Sequence, residues 1–326
     1  MNSEIDRLKI RAIEKKDIST EDALVLYKLG MDRPFALIAA AADIREHSKG
    51  KKVNLCGIVN AKSGLCSEDC RFCAQSAHYC TEAPEYSFIG KNAIVEKAKQ
   101  AKADGAHMLG IITSGTRVDN EDEWQEIYQA IKEINALGIH SCASLGMLDE
   151  ARANKLKQAG LFRYHHNLET AKSNFDNICT THEYQDDIDS VLAAKKVGLS
   201  TCSGGIIGMG ESMEQRIELA ITLKELDVDC IPVNILNPRP GTPLQGTQRL
   251  SPIEILITIA IYRFILPDKD IKLCGGKEFN LRQLLPLGIV AGCNSLMIGD
   301  YLTTPGRSPE LDIEMIKDLG LEAIFE

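Results

Sequence analysis

The run Ala103-Asp104-Gly105-Ala106-His107-Met108-Leu109-Gly110-Ile111-Ile112-Thr113 carries the pattern that decides the fold of this chain. A helical segment rich in Ala and Lys ends at Gly105 and leads at once into a short apolar run with β propensity. Gly is favoured just past a helix end because it adopts the left-handed conformation without steric cost. The same helix-to-strand turn recurs at Ala136-Leu137-Gly138, Gln158-Ala159-Gly160 and Lys196-Val197-Gly198.

Strands and helices alternate along the chain beyond residue 50. The strands are predicted at residues 53–59, 107–113, 140–145, 162–167, 200–206, 230–236, 270–274 and 295–300. Helices between them are predicted, for example, at residues 92–103, 121–137, 149–159, 186–197 and 211–226. Eight such units predict an α/β fold, a (β/α)8 TIM-type barrel, with a doubly wound open sheet as the alternative. We expect an N-terminal helical extension at residues 1–50 and the barrel at residues 51–326.

Composition excludes several functional classes. The 326 residues are 44% hydrophobic, which is enough to bury a large core. A net charge of −9 disfavours a polyanion, so no nucleic acid partner is expected. The most apolar stretch, residues 253–267, carries Glu254 and Arg263 and is too short to cross a bilayer, so no membrane partner is expected. The chain opens without an apolar signal segment, which predicts a cytoplasmic protein with reduced cysteines.

Three cysteines, Cys66, Cys70 and Cys73, stand in a CxxxCxxC run that follows the first predicted strand. Three clustered thiolates on a short loop can hold an iron-sulfur cluster while one iron stays free of protein ligands. A zinc site completed by His78 or Cys80 is the alternative, although a zinc finger usually places its second ligand pair about twelve or more residues downstream. Because barrel enzymes build their sites at the carboxyl ends of the strands, the loop is predicted to lie in the active site.

A second set of cysteines lies within predicted strands one, three, five and seven: Cys56, Cys142, Cys202 and Cys274. In such barrels the inward side chains form layers contributed by alternate strands, with four residues in each layer. These four thiols are therefore predicted to face one another inside the barrel. Buried Cys also serves as a small hydrophobe, which remains the alternative for any one of them alone.

The CxxxCxxC run, with Phe72 before its last cysteine, resembles the signature of the radical S-adenosylmethionine enzymes. Further motifs, in the same order along the chain, resemble the biotin synthase family from about residue 20 to near the C terminus. These motifs are Asn60-Ala61-Lys62-Ser63-Gly64, Tyr164-His165-His166-Asn167-Leu168-Glu169-Thr170, Cys202-Ser203-Gly204-Gly205-Ile206-Ile207-Gly208-Met209-Gly210-Glu211, Asn237-Pro238-Arg239-Pro240-Gly241-Thr242-Pro243-Leu244 and Leu302-Thr303-Thr304-Pro305-Gly306.

The resemblance implies a radical sulfurtransferase that converts dethiobiotin to biotin. Cys66, Cys70 and Cys73 would hold a [4Fe-4S] cluster that cleaves S-adenosylmethionine, and an auxiliary iron-sulfur cluster would donate the sulfur. Two S-adenosylmethionine molecules would be consumed for each biotin. The resemblance also implies a flavodoxin or ferredoxin as reductant and a homodimer.

The remaining motif residues receive roles from the same resemblance. Those implied to bind S-adenosylmethionine or to lie beside it are Phe72, Asn167, Glu169, Gly204, Gly205, Gly208 and Gly210. Asn167 and Glu169 are two positions apart at a strand end, so they point the same way. Asn234 resembles the family residue that binds the ureido ring of dethiobiotin, and Thr303 and Thr304 resemble the loop near its carboxylate.

The chain departs from the family pattern at the auxiliary site. Well-studied members hold a [2Fe-2S] cluster with three strand cysteines and an arginine, and Cys142 and Cys202 match two of those cysteines. The third position aligns with Gly110 and the arginine position with Lys272. Two added thiols, Cys56 and Cys274, compensate in number, so we expect these four cysteines to bind a four-iron cluster rather than a [2Fe-2S] cluster.

Two other function classes stay open at this point. A related radical enzyme, such as a hydrogenase-cofactor maturase or a methylornithine synthase, would share the barrel and the cysteine loop. A zinc or iron-sulfur protein without a catalytic role would share only the cysteines.

Overall fold

Strands and helices alternate through the computed structural model, which describes residues 2–324. Within these residues the strands are β1 (Lys52–Lys62), β2 (Met108–Thr113), β3 (His140–Ser144), β4 (Arg163–His165), β5 (Ser200–Cys202), β6 (Gly205–Ile207), β7 (Cys230–Ile235), β8 (Asp270–Leu273), β9 (Ser295–Met297) and β10 (Glu322–Ile324). The helices are α1 (Asn2–Ile13), α2 (Thr20–Asp32), α3 (Pro34–Lys49), α4 (Gly90–Ala103), α5 (Glu121–Ala136), α6 (Glu150–Ala159), α7 (Lys172–Phe175), α8 (Tyr184–Lys196), α9 (Met213–Glu225), α10 (Pro252–Ile265), α11 (Lys277–Leu281), α12 (Leu285–Val290) and α13 (Pro309–Asp318).

Eight strand positions close into a parallel barrel. The strands follow one another in the order β1-β2-β3-β4-β5-β7-β8-β9, with β6 continuing the line of β5 along β7. Strand β9 then pairs with β1, where Ser295 is opposite Asn54 and Met297 is opposite Cys56. Strand β10 adds to the first residues of β1. The predicted (β/α)8 barrel is confirmed, and the doubly wound open sheet is wrong because β9 and β1 are hydrogen-bonded to each other.

The predicted glycine turns end the helices. Gly160 follows α6 in the left-handed conformation with φ of 93°, and its N–H donates to the carbonyl groups of Leu156 and Lys157. Gly105 has φ of 88° at the end of the stretch that precedes β2. A side chain with a Cβ atom is strained at such angles, so each glycine fixes where a helix stops and the next strand begins.

The predicted strand 200–206 is interrupted at its centre and forms β5 and β6. A Cβ atom on Gly204 would lie 2.2 Å from the carbonyl oxygen of Pro232 on β7. Only glycine lets the two backbones approach this closely. The register against β7 is the same on both sides of the interruption, with Cys202 opposite Cys230 and Gly205 opposite Val233.

The N-terminal helices pack against α10, whose residues 255–265 are all buried. Leu26, Leu37 and Ile257 belong to one hydrophobic cluster, and a Cβ on Gly30 would come within 2.6 Å of Leu37. The division of the chain into residues 1–50 and 51–326 stays a prediction. Among the described residues, no helix combines the length and the apolar character needed to span a membrane.

Candidate active site

The CxxxCxxC loop leaves the carboxyl end of β1 and is closed by backbone hydrogen bonds. The N–H of Cys66 donates to the carbonyl of Gln75 at 3.0 Å, and the N–H of Ala77 donates to the carbonyl of Cys66 at 2.8 Å. Cys73 is linked to Cys70 by a further N–H to carbonyl bond of 2.9 Å. These bonds hold three thiols on one short, ordered loop at the barrel mouth.

The three loop thiols are not gathered around a point that one ion would occupy. In residues 2–324, the group of three metal-ligating atoms that lie within 4.8 Å of one another comes from Glu68, Cys179 and His182. Ligands of a four-iron cluster are spaced more widely than those of a single zinc ion, because each binds a different iron. The loop geometry is therefore compatible with a polynuclear cluster.

A half-buried imidazole ties the loop to the segment before α8. His182 Nδ1 lies 2.7 Å from Glu68 Oε2, and its Nε2 lies 3.4 Å from Asp187 Oδ1. Burial alone lowers the pKa of His182, but hydrogen bonds to Asp187, Cys179 and Glu68 outweigh it and raise the pKa to about 11. The imidazolium therefore bridges two carboxylates and fixes the loop against the barrel. Sequence reasoning missed this contact.

A cavity of about 300 Å³ opens inside the barrel beside the loop. Nine of the predicted site residues line it: Cys56, Phe72, Cys142, Asn167, Glu169, Asn234, Cys274, Thr303 and Thr304. Cys66, Cys70, Cys73, Cys202 and the four glycines of the 204–210 segment are not among its lining residues. The cavity thus brings together most side chains that the sequence singled out, with Cys56 and Cys142 inside the barrel strands and Thr303 and Thr304 on the loop after β9.

The strand cysteines share one buried region with a fifth thiol. Cys56, Cys142, Cys202 and Cys274 are each at most 5% exposed. Cys230, at the start of β7, is opposite Cys202 in the strand register. Burial raises the pKa values of Cys142 and Cys274 to about 12, so these thiols stay neutral unless a metal displaces the proton.

Two cationic side chains point into this thiol region. Lys272 is 6% exposed, and its ammonium lies 3.9 Å from the Cys56 thiol. Arg163 on β4 is hydrogen-bonded through Nε to Ser200 Oγ at 3.0 Å, with Cys142, Cys202 and Cys230 nearby. The sequence placed Lys272 at the arginine position of the family's auxiliary site and gave no role to Arg163. Arg163 also pairs with Asp270 at 3.8 Å, so Lys272 is the cation that an anion among the thiols would stabilise, because buried charges need compensation.

His165 is a further residue that the sequence did not single out. It lines the cavity, and its Nδ1 lies 3.3 Å from the Cys202 thiol. Burial lowers the pKa of His165 to about 3, with nearby Lys272 acting in the same direction, so the ring is neutral. The Tyr164-His165-His166-Asn167 run predicted a polar strand end but gave no sign of a contact with Cys202.

Asn167 and Glu169 stand together at the wall of the cavity. Asn167 Nδ2 donates to Glu169 Oε2 at 3.2 Å, whereas the buried Asn167 Oδ1 has no hydrogen-bond partner. Glu169 has φ of 60°, a strained backbone angle for a residue with a side chain. Burial and the nearby Asp187 raise the pKa of Glu169 to about 8. The pair offers a neutral carboxyl and a free amide oxygen to a ligand.

Asn234 holds two cavity loops together as well as facing the cavity. Its Oδ1 accepts from the N–H of Gly275 at 3.0 Å, and its Nδ2 donates to the carbonyl of Gly205 at 3.3 Å. The amide keeps one N–H and one lone pair for a ligand, since it has two donors and two acceptor positions.

Close packing and backbone conformation account for the glycines of the 204–210 segment. Gly204 lies against Pro232, and a Cβ on Gly205 would come within 2.4 Å of the Glu169 carbonyl oxygen. Gly208 and Gly210 have φ of 92° and 105°. Their cofactor role stays a prediction, while the backbone geometry already accounts for the residue type.

The loop that carries Thr303 and Thr304 is anchored by a fully buried lysine. Lys277 donates to the carbonyl of Met297 at 2.9 Å and to Tyr301 Oη at 2.8 Å, and it pairs with Glu278 at 2.7 Å. Tyr301 in turn donates to Glu278 Oε2 at 2.5 Å. Three polar groups saturate the ammonium and hold the loop over the cavity.

Comparisons with known proteins agree with this arrangement. The radical SAM superfamily model matches residues 62–223, and the Biotin and Thiamin Synthesis associated domain matches residues 232–322. A biotin synthase of Geotalea daltonii is 49% identical over 98% of this chain and 98% of its own length. One of Carboxydothermus hydrogenoformans is 47% identical over 99% of this chain and 100% of its own length. The chain belongs to the biotin synthase family.

This membership separates the chain from the two other function classes that the sequence left open. Members of the family are radical S-adenosylmethionine sulfurtransferases, so a non-catalytic metal protein is excluded. Among solved structures, methylornithine synthase superposes with a TM-score of 0.82 at 21% identity, covering 97% of both chains. The hydrogenase maturase HydG superposes with a TM-score of 0.84 at 15% identity, covering 100% of this chain and 76% of its own. At these identities the likeness shows the barrel fold alone.

Proposed function

We propose that this chain converts dethiobiotin to biotin with a [4Fe-4S] cluster on Cys66, Cys70 and Cys73 and a four-iron auxiliary cluster deeper in the barrel. The observation that carries the proposal is the cavity. Its floor is formed by the thiols of Cys56, Cys142 and Cys274, and its wall carries Asn167 and Asn234, whose amides keep hydrogen-bonding positions for a ligand. The cysteine loop stands beside its mouth. A small substrate in this cavity lies between the two sets of cysteines.

The loop has the donor set that a radical cluster needs. Three thiolates bind three irons, and the fourth iron is left for S-adenosylmethionine. When bound, this cluster supplies the electron that cleaves S-adenosylmethionine to a 5′-deoxyadenosyl radical, and the auxiliary cluster supplies the inserted sulfur. Phe72, on the loop, lines the cavity, where its ring would shield the reacting groups from water.

Cys56, Cys142, Cys202 and Cys274 would hold the auxiliary cluster. A four-iron cluster with four thiolates carries roughly two negative charges. Lys272 is a cation buried against the same thiols, which supports an anionic group there, whereas Arg163 already pairs with Asp270 at 3.8 Å. Gly110 lines the cavity where the family has a cysteine, so this position contributes no ligand. Cys230 is a fifth thiol beside Cys202.

Polar groups on the wall would orient S-adenosylmethionine and dethiobiotin. Asn167 has a buried oxygen without a partner, which a hydroxyl or N–H of a ligand would satisfy. Glu169 and the glycines Gly204, Gly205, Gly208 and Gly210 would complete the S-adenosylmethionine side. Asn234 would receive the ureido ring of dethiobiotin through its remaining donor and acceptor.

Iron counting on anaerobically reconstituted protein tests the two-cluster proposal. We expect about eight irons per chain, falling to about four in Cys142→Ala and Cys274→Ala, because each variant loses one ligand set. Both variants should still form 5′-deoxyadenosine, whereas Cys66→Ala should not. Cys293→Ser, a buried cysteine outside both sets, is the matched control.

Two outcomes decide against the auxiliary part of the proposal. A total of about four irons that does not change in Cys142→Ala would leave no second four-iron cluster. A spectrum typical of an oxidised [2Fe-2S] cluster, with an iron count that fits one two-iron and one four-iron cluster, would instead indicate the auxiliary cluster that is usual in the family. Cys230→Ala, measured alongside, determines whether the fifth thiol belongs to the ligand set.

The cellular setting completes the proposed function. A flavodoxin or ferredoxin would reduce the cysteine-loop cluster, and the enzyme would work in the cytoplasm as a homodimer. The reduced state of cysteines in that compartment supports cluster assembly, since oxidation would remove thiolate ligands.

A further inference from the structure

Arg239 is a cation at the mouth of the cavity that none of the residue assignments above uses. It lines the cavity together with Asn237, Thr303 and Thr304. Arg239 and Thr303 also line a second, smaller cavity that adjoins the cysteine loop, so the two residues are neighbours. Its side chain is half-buried.

The backbone of Arg239 is held rigidly, while its guanidinium is free. Prolines on both sides, Pro238 and Pro240, fix the backbone angles of the turn. The Arg239 carbonyl accepts from Thr242 Oγ1 at 2.8 Å. Across residues 2–324, no hydrogen bond or ion pair engages the guanidinium, and none joins it to Glu82 in the adjoining cavity. A preorganised arginine without a partner offers a bidentate site for a carboxylate.

The two lysines near the cavity, Lys272 and Lys277, have different surroundings from Arg239. Lys272 lies at the floor, 3.9 Å from the Cys56 thiol. Lys277 is fully buried and saturated by Met297, Tyr301 and Glu278, and it does not line the cavity. A carboxylate that enters from the mouth therefore meets Arg239 and the threonine hydroxyls first.

The chemistry of the substrate fixes its direction in this cavity. Sulfur joins two carbon atoms that flank the ureido ring, so the ring end must lie near the floor thiols. The aliphatic tail then points to the mouth and ends in a carboxylate. We propose that Arg239 binds this carboxylate and makes the enzyme selective for the free acid over neutral derivatives of dethiobiotin. The inference rests on the proposed function, because it needs the ring end at the thiols.

Calorimetry with two ligands tests the role of Arg239. Dethiobiotin and its primary amide are titrated into the anaerobically reconstituted enzyme with S-adenosylmethionine present. In Arg239→Gln we expect the Kd of the acid to rise about tenfold to a hundredfold, since a charge-assisted pair is lost, and the Kd of the amide to change little. Arg239→Lys should recover part of the loss, because lysine keeps the charge but not the fork geometry.

Kinetic measurements separate binding from chemistry. In Arg239→Gln, KM for dethiobiotin should rise by the same factor as Kd. The kcat should stay within about twofold of the wild type, because the tail is remote from the reacting carbons. Arg249→Gln is the matched control: Arg249 stacks on Phe279 and does not line the cavity. This control should leave both constants unchanged.

Three results would overturn the inference. The acid-to-amide affinity ratio is unchanged in Arg239→Gln, or the variant weakens S-adenosylmethionine rather than dethiobiotin, or the wild type binds acid and amide equally. Failure of the proposed function has a different signature: the wild type then binds neither ligand, or binds dethiobiotin and forms no biotin from it.

Discussion

At the scale of single residues, close packing already requires glycine at two positions that the family resemblance also assigns to S-adenosylmethionine. Gly204 belongs to the motif assigned to S-adenosylmethionine, and a Cβ atom at this position would lie 2.2 Å from the carbonyl oxygen of Pro232. A residue that touches a neighbouring strand this closely is fixed by packing, whatever ligand lies nearby. The same holds for Gly205 against Glu169.

Gly204→Ala should therefore affect stability more than cofactor affinity. The added methyl would lie 2.2 Å from a backbone oxygen, which has to move, so we expect the free energy of unfolding to fall by about 2–3 kcal/mol. Thermal denaturation of the reconstituted protein measures the loss. Gly246→Ala is the control, since nothing lies within 4 Å of that position. An unchanged Tm with a raised KM for S-adenosylmethionine would instead favour direct ligand contact.

At the scale of elements, local signals predicted the barrel well. Glycine turns and short apolar runs are properties of neighbouring residues, so the eight strand positions followed from the sequence. The break between β5 and β6 did not, because its cause is Pro232, nearly thirty positions away. Cys230 was missed for a similar reason: only the stagger of β5 against β7 brings it beside Cys202.

The loop after β9 is held in place by a residue of another element. Lys277, at the start of α11, reaches across to Tyr301 and fixes the loop that carries Thr303 and Thr304. The sequence predicted the threonines from their motif. It gave no signal for the anchor, since the contact spans 24 positions and joins two separate elements.

Tyr301→Phe should loosen this loop without disturbing the clusters. Losing the hydroxyl removes one partner of Lys277 and one of Glu278, so we expect KM for dethiobiotin to rise about threefold to tenfold. Iron content and 5′-deoxyadenosine formation should stay at wild-type levels. Tyr262→Phe is the control, because the buried Tyr262 hydroxyl has no hydrogen-bond partner. Equal effects of the two substitutions on KM would contradict the anchoring role.

At the scale of the whole molecule, the N-terminal helices and the barrel share one hydrophobic core. Residues 255–265 of helix α10 are all buried, and a helix buried on every side needs cover on every side. The barrel covers one side, and α2 and α3 cover the other through Leu26 and Leu37. The sequence predicted helices at residues 1–50 but not their packing against α10. The amphipathic pattern of a helix shows which face is buried, not which element it packs against.

Removal of residues 1–49 should therefore prevent correct folding rather than release an independent barrel. The truncation exposes the apolar surface of α10 and breaks the ion pair of 3.0 Å between Lys49 and Asp270, beneath the thiol region. We expect aggregation on size-exclusion chromatography and loss of bound iron-sulfur clusters, since a large exposed apolar surface promotes association between chains. Phe35→Ser, at an α3 position that is 63% exposed, should behave as the wild type. A soluble truncated chain with wild-type Tm and iron content would instead establish residues 1–49 as dispensable.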